Sequence, residues 1–254
     1  MGTTIAQISD PHVPAPGAPV PAGATPRANL DAAIGDAGRV AAAILLTGDI
    51  AAKTGSEEEY GEVAAAVARA TVPVLPCSGN HDDPARLAAL FGVPMRGERL
   101  DYAVTVGEVR IVVLDSSRPG MVAGTLDESQ LSWLDGELAD HPGALVALHH
   151  PSVDVGDAMF DQIRLDDAAA TGLAAVFERR QPVAVLHGHA HRAHRATIGG
   201  APLFVCPSSA YGFDSSGDRL MPVPHAPRYA VHRIEGGGIS TDVVDASASG
   251  VTSA

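Results

Sequence analysis

Short apolar runs alternate along this chain with stretches whose apolar positions recur every three or four residues, the patterns of buried strand and amphipathic helix. The runs predict strands at 3–8, 43–46, 72–75, 102–106, 109–114, 144–148, 183–186, 193–198, 203–206, 228–234 and 239–244. The helical pattern predicts helices at 28–40, 56–70, 83–90, 127–139 and 166–179. Ser56 with Glu59 three residues on is a capping box, in which each side chain satisfies a backbone N–H at the helix start. Gly107, between two apolar runs, marks a hairpin turn. Strands alternating with helices imply an α/β fold. One domain is expected over 1–244, with the small, polar residues 245–254 as a flexible tail.

Composition narrows the partners. The chain has 254 residues, 46% of them apolar, enough for a sizeable core. No run approaches the roughly 20 apolar residues of a membrane span, and the first residues lack a basic and then apolar leader, so a cytoplasmic protein away from membranes is expected. Cys77 and Cys206 make no disulfide framework, and Cys77 reads as a small core residue. With 17 Lys and Arg against 30 Asp and Glu, the net charge is −13 and Lys53 is the only lysine. That balance disfavours an extended nucleic-acid backbone, which needs clustered cations, but not a small phosphorylated substrate.

The candidate chemistry sits just after apolar strands, where loops of sheets flanked by helices converge. Asp10 and His12, Asp49, Asn80 and His81, His149, and His189 and His191 occupy five such strand ends. Carboxylate, imidazole and amide oxygen together suit Mn, Fe or Zn. On an extended backbone, residues two apart point the same way, so Asp10 with His12, and His189 with His191, would each reach one site. The glycines before Asp49, Asn80 and His189 would let the chain turn sharply beside it. His141, His194, His225 and His232 lack this context and read as surface or capping residues. His150 and His187 read as supporting residues beside the site.

Asp10-Pro11-His12, Gly48-Asp49, Gly79-Asn80-His81-Asp82, His149 and Gly188-His189-Ala190-His191 resemble, in order, the five blocks of the calcineurin-like metallophosphoesterases. The resemblance implies a four-layer α-β-β-α sandwich with a dinuclear metal site. One divalent ion would take Asp10, His12 and His191, the other Asn80, His149 and His189, and Asp49 would bridge them. A hydroxide between the ions would attack phosphorus. Two divalent ions against two carboxylates leave about +2 to face a phosphate. His81 would protonate or hydrogen-bond the departing oxygen, with Asp82 orienting its ring.

The segment Leu114-Asp115-Ser116-Ser117-Arg118-Pro119-Gly120, together with His149-His150-Pro151 and Glu58-Glu59-Tyr60, is similar to class III cyclic-nucleotide phosphodiesterases and bacterial glycerophosphodiesterases. The expected function is therefore hydrolysis of small phosphodiesters such as 3',5'-cyclic AMP or glycerophosphodiesters. A broad phosphomonoesterase, a nuclease of the same fold and a scaffold without activity are the alternatives. Segments 11–26, 153–165 and 207–227 are the expected pocket walls. Within the last, Tyr211 and Phe213 would stack on a nucleobase, anchor a lid or form a contact in a homodimer.

Overall fold

The computed structural model describes residues 2–246. In chain order the elements are β1 (Thr3–Ile8), α1 (Pro26–Ala37), β2 (Ala43–Thr47), α2 (Glu57–Val67), β3 (Val74–Cys77), α3 (Pro84–Phe91), β4 (Tyr102–Val106), β5 (Val109–Val113) and α4 (Glu128–Asp140). There follow β6 (Leu145–Ala147), α5 (Ala158–Asp161), α6 (Asp167–Arg180), β7 (Ala184–His187), β8 (His194–Ile198) and β9 (Ala201–Val205). Then come β10 (Tyr211–Asp214), β11 (Met221–Pro224), β12 (Arg228–Glu235) and β13 (Gly238–Asp245).

Two sheets carry the fold. The first has the order β13-β12-β1-β2-β3 and the second β4-β5-β6-β7-β9-β8. The central neighbours β1, β2 and β3 run parallel, as do β5, β6, β7 and β9. Parallel strands are covered on both faces, and here the period of two sorts their side chains between two cores. Ile111, Val113, Leu145, Ala147 and Leu186 point inward to join the first sheet, α1 and α2. Val112, Leu114, Val146, Leu148 and Val185 point outward to Leu134 and Leu138 of α4 and Leu173, Val176 and Phe177 of α6. The result is the expected four layers: helices, sheet, sheet, helices.

Both halves of the Ser56 capping box form, with Glu59 N–H donating to Ser56 Oγ at 3.2 Å and Ser56 N–H to Glu59 Oε2 at 2.9 Å. Helix α5 and the β10–β11 hairpin were not expected. The hairpin hides in the sequence because Pro222 and Pro224 break any strand pattern and β11 is exposed throughout, so nothing alternates. Of the tail expected from 245 on, Asp245 ends β13 and Ala246 is buried; the remainder lies outside the described residues.

A polar seam joins the sheets. Gln7 of β1 donates through Nε2 to Thr47 Oγ1 and to the His187 carbonyl oxygen, both at 2.9 Å. With its amide nitrogen so placed, Gln7 Oε1 accepts from His232 Nε2–H at 3.0 Å, and His232 Nδ1 accepts from the Thr241 hydroxyl at 2.8 Å. His232 is thus fully buried between layers, not on the surface as its sequence context suggested. The bonds fix one neutral tautomer. Burial, reinforced by the Arg195 guanidinium, pushes its pKa down to about 3.

An unfolded histidine titrates near 6.5, so between that value and about 3 the unfolded chain binds the extra proton. Stability is whole above pH 6.5 or so and drains as pH falls toward the folded value. In chelator, to exclude metal effects, His232→Asn should remove about 1 kcal/mol per pH unit from the slope of unfolding free energy against pH. Denaturant melts at a series of pH values measure it; an unchanged slope would show that His232 is not held neutral.

Candidate metal centre

The parallel strands of both sheets end at one crevice. Asp10 and His12 follow β1, Asp49 follows β2, Asn80 and His81 follow β3, His149 follows β6, and His189 and His191 follow β7. Asp10, His12, Asp49, His149, His189 and His191 are all buried. Five of them are not on extended backbone. Asp10, His12, Asp49, His189 and His191 have φ of 49°, 41°, 48°, 69° and 53°, in the left-handed region. The extended geometry expected for the Asp10–His12 and His189–His191 pairs is therefore corrected: each chain curls under as it leaves its strand. Asp and His tolerate this region better than branched residues do, yet such torsions cost of order 1 kcal/mol each and persist only when surroundings impose them. Here His12 N–H donates to the Asp49 carbonyl at 3.0 Å, Asp10 N–H to the Gly48 carbonyl at 3.2 Å, and His189 N–H to both Asp10 carboxylate oxygens at 3.1 and 3.0 Å.

The polar tips meet. His12 Nε2 lies 3.0 Å from His191 Nε2 and 3.8 Å from Asp49 Oδ2, and His191 Nε2 lies 3.5 Å from Asp10 Oδ1. On the other side His149 Nε2 is 3.2 Å from His189 Nδ1 and 3.4 Å from Asp49 Oδ1. Asp49 therefore stands between two groups of imidazoles. The outer nitrogens are spoken for: His149 Nδ1–H donates to the Thr47 carbonyl at 2.8 Å and His191 Nδ1–H to the Tyr211 carbonyl at 2.7 Å. Their Nε2 lone pairs consequently face inward, as cation ligation requires. Asn80 Oδ1 is buried without a hydrogen-bond partner, between Gly79 and His81, which both press on Asp49. Asp10, His12 and His191 have ligand atoms within 4.8 Å of one another, and so do Asp10, Asp49 and His149. These residues form His/Asp clusters that fit a pair of divalent cations.

Electrostatics agree. Burial would raise the Asp49 carboxyl, but the His149 imidazole overrides it and holds the group well below the usual range. Burial likewise opposes a charge on His149, and Asp49 lifts it to about 9 instead. Burial pushes Asp10 up to about 7 and His12 down to about 4, and holds His189 and His191 well below their ordinary value. His12, His189 and His191 are thus neutral, the form that takes up a metal ion, whereas His149 carries a proton beside Asp49 that a cation bound there would displace.

His81 lies at the rim, its Nε2 3.9 Å from Asp49 Oδ2. Its ring is oriented by Nδ1–H donating to the Ala52 carbonyl at 2.8 Å, not by Asp82. Asp82 accepts instead from Ile50 N–H, Ala51 N–H, Gly79 N–H and the Tyr60 hydroxyl, tying the β2 and β3 loops together. His150 packs 4.7 Å from the His189 ring, with Ser116 Oγ at 2.8 Å on one nitrogen and the Val122 carbonyl at 2.9 Å on the other. No lone pair is left on it. Tyr211 stacks on His12 at 5.4 Å and Phe213 packs at a tilt on His191 at 4.7 Å, so both rings lie against imidazoles of the centre. A cavity of about 620 Å³ opens beside Asn80 and His81, walled by residues of segments 53–54, 79–85, 98–99 and 115–120, none of them among the expected pocket walls. The anticipated 207–227 segment lines a separate cavity of about 510 Å³ next to His191.

The glycines act mainly through close approach. Gly79 and Gly188 do not need positive φ; a Cβ on Gly79 would collide with Asp49, and one on Gly188 with Ser9 Oγ, Thr47 O and Asp10 Oδ2. Gly48 needs both, with φ 87° and the His149 ring where a Cβ would stand. Gly48→Ala should cost at least about 2 kcal/mol of stability and retain less metal than the parent chain. Gly35→Ala, on α1 with nothing within 4 Å, is the control and should leave metal content unchanged. Thermal unfolding with elemental analysis checks both; full metal retention by Gly48→Ala would contradict the packing described.

The sequence pattern of the calcineurin-like phosphoesterases matches residues 3–193, and the chain belongs to that family. It is 35% identical over 173 residues to a probable cyclic nucleotide phosphodiesterase of Synechococcus sp., covering 67% of this chain and 66% of that one. It is 31% identical over 158 residues to the glycerophosphodiester phosphodiesterase GpdQ of Enterobacter lignolyticus, covering 59% and 55%. The matched stretch thus spans less than two thirds of either relative. A purple acid phosphatase from yellow lupin shares the fold, with a TM-score of 0.71 at 14% identity over 97% of this chain and 52% of that one. Among the described residues no helix is long and apolar enough to cross a membrane.

Proposed function

We propose that this chain is a dinuclear metal-dependent phosphodiesterase acting on small phosphodiesters, of which 3',5'-cyclic AMP and glycerophosphodiesters are the leading examples. The observation that carries the reading is the buried meeting of His12 with His191, and of His149 with His189, on opposite sides of Asp49. The likeness to relatives named as cyclic nucleotide and glycerophosphodiester phosphodiesterases supports a diester over a monoester.

Asp10, His12 and His191 would hold one cation, and Asn80, His149 and His189 the other, with Asp49 shared. Bound there, two divalent ions would supply Lewis acidity toward a phosphoryl oxygen and acidify water. The remaining work falls to the chain. The Thr47 and Tyr211 carbonyls hold the His149 and His191 rings in the required tautomer. Since the Ala52 carbonyl takes Nδ1–H of His81, a proton added to that ring resides on Nε2, which faces the crevice. As the P–O bond to the departing alcohol breaks, His81 Nε2–H gives its proton to the alkoxide oxygen. Burial of the surrounding side chains limits access of bulk water.

His81→Ala should lower turnover by about 10²–10⁴-fold while leaving metal content intact. Loss of metal would make His81 a structural residue. Rates on bis(p-nitrophenyl) phosphate, p-nitrophenyl phosphate, cyclic AMP, a glycerophosphodiester and single-stranded DNA, after reconstitution with Mn, Fe or Zn, should favour the diesters. A clear preference for the monoester would refute the diesterase reading.

A further inference from the structure

The cavity beside His81 has a composition that scissile-phosphate binding does not require. Lys53, Arg99 and Arg118 all line it. Most arginines of this acidic chain have a carboxylate within 4.0 Å, for example Arg86 with Asp83, Arg164 with Asp154 and Arg192 with Asp157. Among the described residues, Lys53, Arg99 and Arg118 have none. The cavity also contains Asp82, Asp83, Glu98 and Asp115. Three of those carboxylates have their oxygens committed to donors other than these cations. Asp82 accepts from backbone N–H groups, Asp83 caps α3 through Arg86 N–H and pairs with the Arg86 guanidinium, and Asp115 accepts from Leu100 N–H, Ser117 N–H and Ser117 Oγ. Asp115 and Asp166 act on Arg99 and Arg118 only from beyond ion-pair distance, and none of the three cations has a carboxylate within 4.0 Å among the described residues.

Arg99 is also held rather than loose. One guanidinium nitrogen donates to the Ser117 carbonyl at 2.6 Å, and Ser117 is fixed by Asp115 Oδ1, which accepts from its N–H at 2.9 Å and its hydroxyl at 2.6 Å. Asp115 N–H in turn donates to Asp101 Oδ1 at 2.8 Å, and Gln130 at the start of α4 donates to both Asp101 Oδ1 and the Asp115 carbonyl. The chain of bonds runs from a helix to a guanidinium that retains unused N–H groups. A fork fixed before its ligand arrives loses little freedom on binding, and guanidinium geometry matches phosphate oxygens.

A cation pair with two carboxylates already offers about +2 to a diester phosphate of charge −1. Unpaired cations on the adjoining wall therefore have a different anion to meet. Resting on the phosphodiesterase reading, we propose that this cavity is an accessory phosphate subsite. It selects small phosphodiesters whose alcohol portion carries a second phosphate, held by Arg99, Arg118 and Lys53. The segment around Ser117 and Arg118 is in this view a specificity element, not part of the metal centre. At about 620 Å³ the cavity falls within the range of small-molecule sites.

The test compares thymidine 5'-(p-nitrophenyl phosphate) with the same ester bearing a 3'-phosphate, using the metal-loaded chain. The 3'-phosphorylated ester should show kcat/KM about tenfold higher, mainly through KM, and about 0.5 M salt should erode that advantage. Arg118→Gln, whose side chain has no ion-pair partner to lose, should reduce the advantage about fivefold, with the rate on the unphosphorylated ester falling far less. Absence of a preference in the parent chain, or equal loss on both esters in the variant, overturns the subsite. If neither ester nor bis(p-nitrophenyl) phosphate is hydrolysed, the phosphodiesterase reading has failed instead. Calorimetry of thymidine 3',5'-bisphosphate binding to the chelated chain then decides the subsite: weaker binding by Arg118→Gln sustains it, and unaltered or absent binding removes it.

Discussion

A carboxylate taken out of water is costly unless positive or donor groups surround it. Asp49 is buried to 3% exposure, and the rest of the centre answers that burial. His149 and His12 approach its oxygens from opposite sides, and His81 offers its backbone N–H at 3.0 Å. These partners come from three strand ends on two different sheets, so no local segment could assemble them. The layered core fixes which strands face each other. The anion dictates what must stand at their ends.

The backbone bears part of that requirement. Five of the residues that meet in the crevice sit at positive φ, and three glycines stand where any Cβ would strike a neighbour. Strain of this kind persists because rigid packing over-determines it. The strands leading into these turns, such as Ile5 to Ile8 and Val185 to His187, are among the most buried stretches of the chain. Stability invested in those strands holds geometry that a surface loop could not.

Much of this was legible in the residues themselves. Buried parallel strands read as unbroken apolar runs, so polar residues directly after them stood out, and the Ser56–Glu59 cap could be placed to the residue. What escaped the reading lies in spatial relations. Asp and His at left-handed torsions carry no signature, since both residues visit that region only occasionally and nothing in the sequence marks when they do. Asp82 follows His81 in sequence, and adjacency suggested a partnership that the fold gives to Ala52. His232 looked superficial because its burial depends on Gln7, more than two hundred residues away. The β10–β11 hairpin was concealed by Pro222 and Pro224 and by its exposure.

That hairpin is tied to the centre through its first residue. Tyr211 gives its carbonyl to His191 and its ring to His12, so two imidazoles take their orientation from a ribbon whose second strand is exposed. Linkage makes such a coupling reciprocal. With His12 and His191 as ligands in the proposed assignment, a molecule that displaces the ribbon would loosen the grip on a cation, and occupancy by that cation would in the same measure stiffen the ribbon.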